Sequence, residues 1–159
     1  MLDNNSAPEA VIRRAVLQDL PAIVALLADD QLGSQRERSS QPLPESYVFA
    51  FEQIDSNPGQ ELLVAELDGE VIGTFQLNFI RSLTYQGGLR GQIEAVRVQR
   101  GWRGRGIGAQ MMRWAIQEAH QRGCHLLLLT SDISRKDAHR FYERLGFVAS
   151  NVGMKLFLN

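Results

Sequence analysis

Between Ile93 and Gly108 the chain reads Ile-Glu-Ala-Val-Arg-Val-Gln-Arg-Gly-Trp-Arg-Gly-Arg-Gly-Ile-Gly, an apolar run with one carboxylate followed by glycines and arginines. The chemistry available there is phosphate binding. Glycines let the backbone take positive φ and approach a ligand closely, and the loop opens a helix predicted from Ile107, whose free N–H groups and positive dipole end favour an anion. Arg103 and Arg105 add fixed positive charge. A tight turn that merely packs helix on strand is the bland alternative, but such a turn rarely needs Gly104, Gly106 and Gly108 together with two arginines. Two further residues have acid–base capacity: Glu94 on the strand entering the loop, and Tyr142 on a later helix.

Three phosphate-binding patterns compete. A Walker-type loop needs Gly-Lys-Ser/Thr at the helix start, and the chain has Gly106-Ile107-Gly108 instead. Gly104-x-Gly106-x-x-Ala109 satisfies a loose dinucleotide pattern, with Asp132 after the next strand as ribose acceptor, yet only 27 residues follow Asp132, too few for the usual further parallel strands. The third pattern fits best. Arg103-x-x-Gly106-x-Gly108 after the strand Ile93 to Val98, with Phe141-Tyr142-Glu143-Arg144-Leu145-Gly146-Phe147 closing a later helix, resembles the GNAT superfamily of acyl-CoA-dependent N-acetyltransferases. The two motifs stand in the family's order, one βαβ unit apart, and the resemblance covers essentially the whole chain.

That resemblance implies acetyl-CoA as acyl donor. It implies that the backbone amides of Arg103, Gly104, Arg105, Gly106, Ile107, Gly108 and Ala109 hold the pyrophosphate. The pantetheine arm would pair like a strand along Val96 and Val98, whose apolar side chains offer a dry wall. Tyr142 resembles the family tyrosine that protonates the departing thiolate, and a frequent general base lies on the strand of Glu94. The family usually has an asparagine where this chain has Arg135, which could meet a cofactor phosphate instead.

Amide formation needs a deprotonated amine and a proton for the leaving thiolate. An alkylamine has a pKa of about 10.4 and a thiol about 8.5, so near neutrality the amine needs a base and the thiol benefits from an acid. Strand alternation would put Glu94 on one face with Val96 and Val98, an apolar setting that raises a carboxyl pKa, and Arg97 on the other. For the acyl acceptor, Asp29, Asp30, Arg36 and Glu37 lie between the first two helices, and Tyr47 and Tyr85-Gln86-Gly87-Gly88 could close a pocket. Acidic residues there would attract a cationic amine. A small-molecule amine is the first expectation and a protein N-terminus or lysine the second. A non-catalytic acyl-CoA sensing module is the alternative function, and a nucleotide-binding interaction domain the third.

The elements that must position these residues follow from periodicity. Val11 to Ala15 reads as a strand and Leu17 to Ala28 as a helix, with Leu20, Ile23, Val24 and Leu27 on one face. A polar stretch follows, with a loop or a frayed helix start, then a short helix after Pro44. Leu62 to Leu67 and Val71 to Phe79 form a hairpin across Asp68-Gly69, a type I′ dipeptide. Helix Ile107 to Gln121 follows the loop, and the leucine run of His125 to Thr130 reads as a central strand buried on both faces. A helix over about 135–145 stops at Gly146, and Phe147 to Ala149 and Met154 to Leu158 read as a last pair of strands. The expected fold is α/β (α+β): a GNAT-like single domain over 1–159, with a mixed, mostly antiparallel sheet, one parallel βαβ unit, about four helices, and residues 1–10 partly flexible.

The 159 residues carry a net charge of −1, which argues against generic nucleic-acid or anionic-membrane binding. No apolar run reaches the roughly 20 residues needed to span a bilayer. The lone Cys124 reads as a small buried hydrophobe, which together with the absence of a visible signal peptide suggests the cytoplasm. His120 and His125 lack ligand-like spacing, so no metal is expected, and His139 reads as the polar edge of its helix. A homodimer is compatible with the sequence.

Overall fold

The computed structural model describes residues 7–158. Its elements run β1 (Val11–Arg14), α1 (Leu20–Ala28), α2 (Gln31–Arg36), α3 (Glu45–Asp55), β2 (Gln60–Leu67), β3 (Glu70–Arg81), the single turn α4 (Thr84–Gly87), β4 (Leu89–Val98), α5 (Ile107–Gln121), β5 (Leu126–Leu129) and α6 (Lys136–Arg144). One sheet of order β1-β2-β3-β4-β5 is antiparallel throughout except for the parallel pair β4·β5. The predicted mixed sheet with one βαβ unit is therefore what the chain forms, with six helical segments in place of about four. The β2–β3 hairpin turns on Asp68 and Gly69 at φ 50° and 80°, both positive as a type I′ turn requires.

The central strand is β3, where Ile72, Gly73, Thr74 and Phe75 are all buried, because α5 covers one face of the sheet and α1 with α3 the other. Helix α5 buries Ile107, Met111, Met112, Ala115 and Ala119. It closes on the sheet over Gly73, where an added Cβ would stand 2.8 Å from the Met111 sulfur. Truncating Met111 to Ala would cost about 2–5 kcal/mol, typical of a buried methionine. That contact matters for function because it fixes the helix whose N-terminus faces the glycine loop.

Two expectations are corrected. The leucine strand β5 is the last strand of the sheet, and its four leucines are each half-buried, since α5 packs on one side and no strand lies along its outer edge among the described residues. A run of leucines looks the same at the edge and in the centre. The expected C-terminal strands 147–149 and 154–158 do not form. After Phe147 docks on Tyr142, the chain runs out exposed, with Val152, Met154, Leu156 and Leu158 at 85, 92, 85 and 89%. In the N-terminal stretch expected to be partly flexible, Gln110 Nε2 donates to Pro8 O (2.7 Å) and Ala10 N donates to Gln110 Oε1 (2.9 Å). Residues 1–6 of that expectation lie outside the described residues.

Candidate active site

The pairing of β4 with β5 stops at Ile93↔Leu129, while β4 runs on to Val98. From Glu94 onward the β5 side of β4 therefore carries main-chain groups with no strand partner among the described residues. Val96 and Val98 occupy this stretch. Val96 O accepts from Arg97 Nη1 (2.9 Å) and Val98 O from Arg103 Nε (3.0 Å), which leaves each carbonyl a second lone pair.

The strand then feeds the loop. Gly104 and Gly106 sit at φ 74° and 85°, the left-handed region that disfavours any side chain, and Gly106 is the residue that caps α5. The first helical bond is Gln110 N to Gly106 O, so the preceding N–H groups of Ile107, Gly108 and Ala109 have no intrahelical acceptor. Arg105 stacks over Trp102 at 5.0 Å from the ring centroid. A cavity of about 390 Å³ opens here and joins this loop to the end of α6, with Val98, Gly106, Gly108 and Ala109 on one side and Phe141 and Leu145 on the other. Gly108 keeps it open, because a Cβ there would meet the Phe141 ring at 3.4 Å. Of the residues expected at the cofactor, Val98, Arg103, Gly104, Gly106, Gly108 and Ala109 line this cavity and Val96, Arg105 and Ile107 do not; Trp102, Phe141, Arg144 and Leu145 line it without having been expected there, although three of them belong to the α6 motif.

Tyr142 is buried beside this cavity, edge-on to Phe141 and Phe147 at 5.1 and 5.8 Å between ring centroids. Burial pushes its hydroxyl above the ordinary phenol pKa, and the charges of Arg135 and Arg97 pull partly the other way. The hydroxyl thus stays protonated at neutral pH. Arg135, which the resemblance leaves free to meet a cofactor phosphate, exerts its charge on Tyr142, Asp30 and Arg97.

Strand alternation fails at one residue. Ala95 takes φ 54°, forming a bulge, so Gln76 opposes Glu94 and Thr74 opposes Arg97. Thr74 and Gln76 are two apart on β3 and share a face, so Glu94 and Arg97 share it too. Glu94 therefore lies on the α1 and α3 side of the sheet, not with Val96 and Val98, which pack toward the α5 core. It is half-buried and accepts from Gln92 Nε2 at 2.5 Å. On this face a cavity of about 160 Å³ lies under α1 and α3, lined by Leu27, Tyr47, Phe51, Thr74, Gln76 and Ala95.

The family model described as "Acetyltransferase (GNAT) family" matches residues 22–147. The chain belongs to the GNAT acetyltransferase family. An aminoalkylphosphonate N-acetyltransferase of Salmonella typhimurium is 32% identical over 91% of this chain and 88% of its own length. A Pseudomonas aeruginosa L-methionine sulfoximine/L-methionine sulfone acetyltransferase is 29% identical over 89% and 81%. Among solved structures, a Bacillus halodurans protein described as a transcriptional regulator superposes with a TM-score of 0.92 at 49% identity, over 94% of this chain and all of that one. A Clostridium acetobutylicum protein solved with acetyl-CoA shares the fold at a TM-score of 0.72 and 21% identity, over 94% and 96%.

Within this GNAT enzyme the acidic residues expected at the acceptor are occupied. Asp29 binds Arg100 (3.0 Å) and Arg103 (3.6 Å), so it ties the end of α1 to the glycine loop. Asp30 caps α2 through Gly33 N (2.5 Å) and pairs with Arg97 Nη2 (3.1 Å). Burial raises its carboxyl, and the Gly33 N–H with Arg97, Arg135 and Arg36 more than offsets that, leaving it below the usual range. Glu37 is held by Arg36 and by the hydroxyl of Tyr47, at 2.7 and 2.8 Å. Tyr85 stands elsewhere. It stacks on His125 at 4.4 Å, beside the N-terminal ends of β4 and β5, roughly 17 Å of strand from Glu94. Cys124, half-buried at the end of α5, has its thiol pushed up by burial, which disfavours the thiolate a nucleophile needs.

Proposed function

We propose that this chain moves the acetyl group of acetyl-CoA onto the primary amine of a small molecule by direct transfer. The observation that carries the reading is the cavity joining the left-handed glycine loop to the α6 motif, with the protonated Tyr142 beside it. The loop N–H groups suit the pyrophosphate, and the unpaired stretch of β4 at Val96 and Val98 suits the amides of pantetheine. The amine nitrogen forms a bond to the thioester carbon as the C–S bond breaks. Glu94 takes one proton from the ammonium before attack; as the C–S bond breaks Tyr142 gives its proton to the departing thiolate, and the second proton, lost from the nitrogen once the C–N bond has formed, returns through solvent to Tyr142. The names of the Salmonella and Pseudomonas relatives, both of which specify small acceptors, support a small molecule over a protein. The catalytic reading is favoured over acyl-CoA sensing because a buried acid and a carboxylate both lie near the unpaired part of β4. The lone Cys124 supports a cytoplasmic setting.

Thiol release with acetyl-CoA and a panel of small amines tests the reading; a wild-type protein that releases none with any amine would overturn it in favour of sensing. For Glu94→Gln, kcat/KM at pH 7 should fall by about a hundredfold or more. The loss should shrink as pH rises toward about 10.4, where an alkylamine deprotonates unaided. A deficit of constant size at every pH would remove Glu94 as the base.

We also infer that a second copy is the partner of the exposed C-terminal segment. Val152, Met154 and Leu156 alternate with Gly153 and Lys155, the pattern of a strand, while the outer edge of β5 has no strand on it among the described residues. Reciprocal exchange would satisfy both in a closed two-fold pair. Light scattering should give a dimer for the full chain and a monomer for a chain ending at Ala149. A monomeric full chain, or a dimeric truncated one, would defeat the exchange.

A further inference from the structure

Arg97 is an unusual residue for the middle of a sheet face. Its side chain is 12% exposed, its Nη2 reaches Asp30 at 3.1 Å, its Nη1 serves Val96 O, and its Nε is buried with no hydrogen-bond partner among the described residues. Burial pulls the guanidinium below its ordinary value, Asp30 opposes that, and Arg135 and Arg36 add to it. Three guanidinium groups thus act on one region, which contains the carboxylates of Asp30 and Glu37. Glu37 is engaged by Arg36 and Tyr47, and Asp30 by Gly33 as well as Arg97. Arg135 remains as a further positive charge acting on the same space and on Tyr142.

A buried donor without a partner carries an uncompensated desolvation cost. An ion that satisfies it recovers that cost, and a planar guanidinium is suited to a two-oxygen contact with a carboxylate or phosphonate. The bulge at Ala95 matters because it brings Arg97 onto the face of Glu94, the two standing opposite Thr74 and Gln76 of β3.

We propose that the acceptor is a primary amine carrying its own oxyanion, a carboxylate or a phosphonate, and that Arg97 and Arg135 seat this oxyanion while the amine faces Glu94. This rests on the acetyl-transfer reading for the amine, but the anion seat is testable without turnover. It also reverses the polarity expected from sequence: the acidic residues are paired, and what is left over is cationic. A plain alkylamine lacks the group that Arg97 and Arg135 would hold.

Calorimetric titration of the full chain, saturated with coenzyme A, with aminomethylphosphonate, glycine and methylamine measures the seat directly. One or both anionic amines should bind, and methylamine should bind at least about tenfold more weakly. Arg97→Gln should weaken the anionic amines by roughly ten- to a hundredfold, the worth of a charge-assisted hydrogen bond, and change methylamine binding by far less. Arg97→Lys should recover part of the loss. Because Arg97 also pairs with Asp30, Arg135→Gln, a change at an exposed residue, is the second variant and should weaken the same ligands without loss of fold. Equal binding of all three amines, or equal weakening of all three in the variants, would overturn the seat. Retained anion binding with no thiol release would instead sink the acetyl-transfer reading and leave the seat standing.

Discussion

Gly106→Val should abolish the thermal stabilisation that acetyl-CoA gives the wild-type chain. A ligand at a hundred times its Kd stabilises by about 2.7 kcal/mol, which for a chain of this size is a rise in Tm of roughly 5–10 °C. Gly106 sits at φ 85°, where a β-branched residue is a steric outlier, and an added Cβ would meet that of Ala7 at 3.1 Å. The backbone must therefore leave its left-handed conformation, and the N–H groups at the start of α5 turn away from where a pyrophosphate would lie. Gly123→Ala is the control. Gly123 has φ 75° with nothing within 4 Å of an added Cβ, so the same kind of strain, about 1–2 kcal/mol, falls at the far end of α5. That variant should lower the Tm of the free protein and keep the full acetyl-CoA shift. If Gly106→Val also keeps the shift, the cofactor loop is misassigned.

Much of this site was legible because its residues carry local meaning. Glycines that must take positive φ announce a loop wherever they fall, and Asp68-Gly69 fixes its hairpin by turn chemistry alone. The α6 motif likewise located Tyr142. What could not be read depended on backbone and topology. No residue type marks the bulge at Ala95, a non-glycine at positive φ, yet that one residue decides which face Arg97 occupies. Tyr85 looked close to the acceptor because the β3–β4 connection is long enough to fold over a site. It lies at the opposite end of β4 because the open stretch of the sheet is at the strand's C-terminal end. Asp29 and Asp30 read as free charges since their arginine partners are about 70 residues away in sequence, and pairing at that range leaves no periodic trace.

Tyr142→Phe should leave acetyl-CoA binding intact and lower kcat by about a hundredfold or more, the usual contribution of a positioned general acid. The two outcomes separate because the ring and the hydroxyl do different work. The ring packs edge-on against Phe141 and Phe147, and phenylalanine preserves both contacts, so stability should change by no more than about 1 kcal/mol. The hydroxyl is the part the proposed proton transfer would use. Burial raises its pKa above the ordinary value of about 10, so the proton is present across the neutral range and its loss lies on the alkaline side. Raising pH from 7 to 9 should therefore increase the wild-type rate as the amine deprotonates, with no fall assignable to Tyr142 in that window. The variant should keep the same rise at a lower level, because the amine step is untouched while the thiolate leaves without an acid. A variant with wild-type kcat would mean that Tyr142 is only a core aromatic, and the proton would have to reach the thiolate from water.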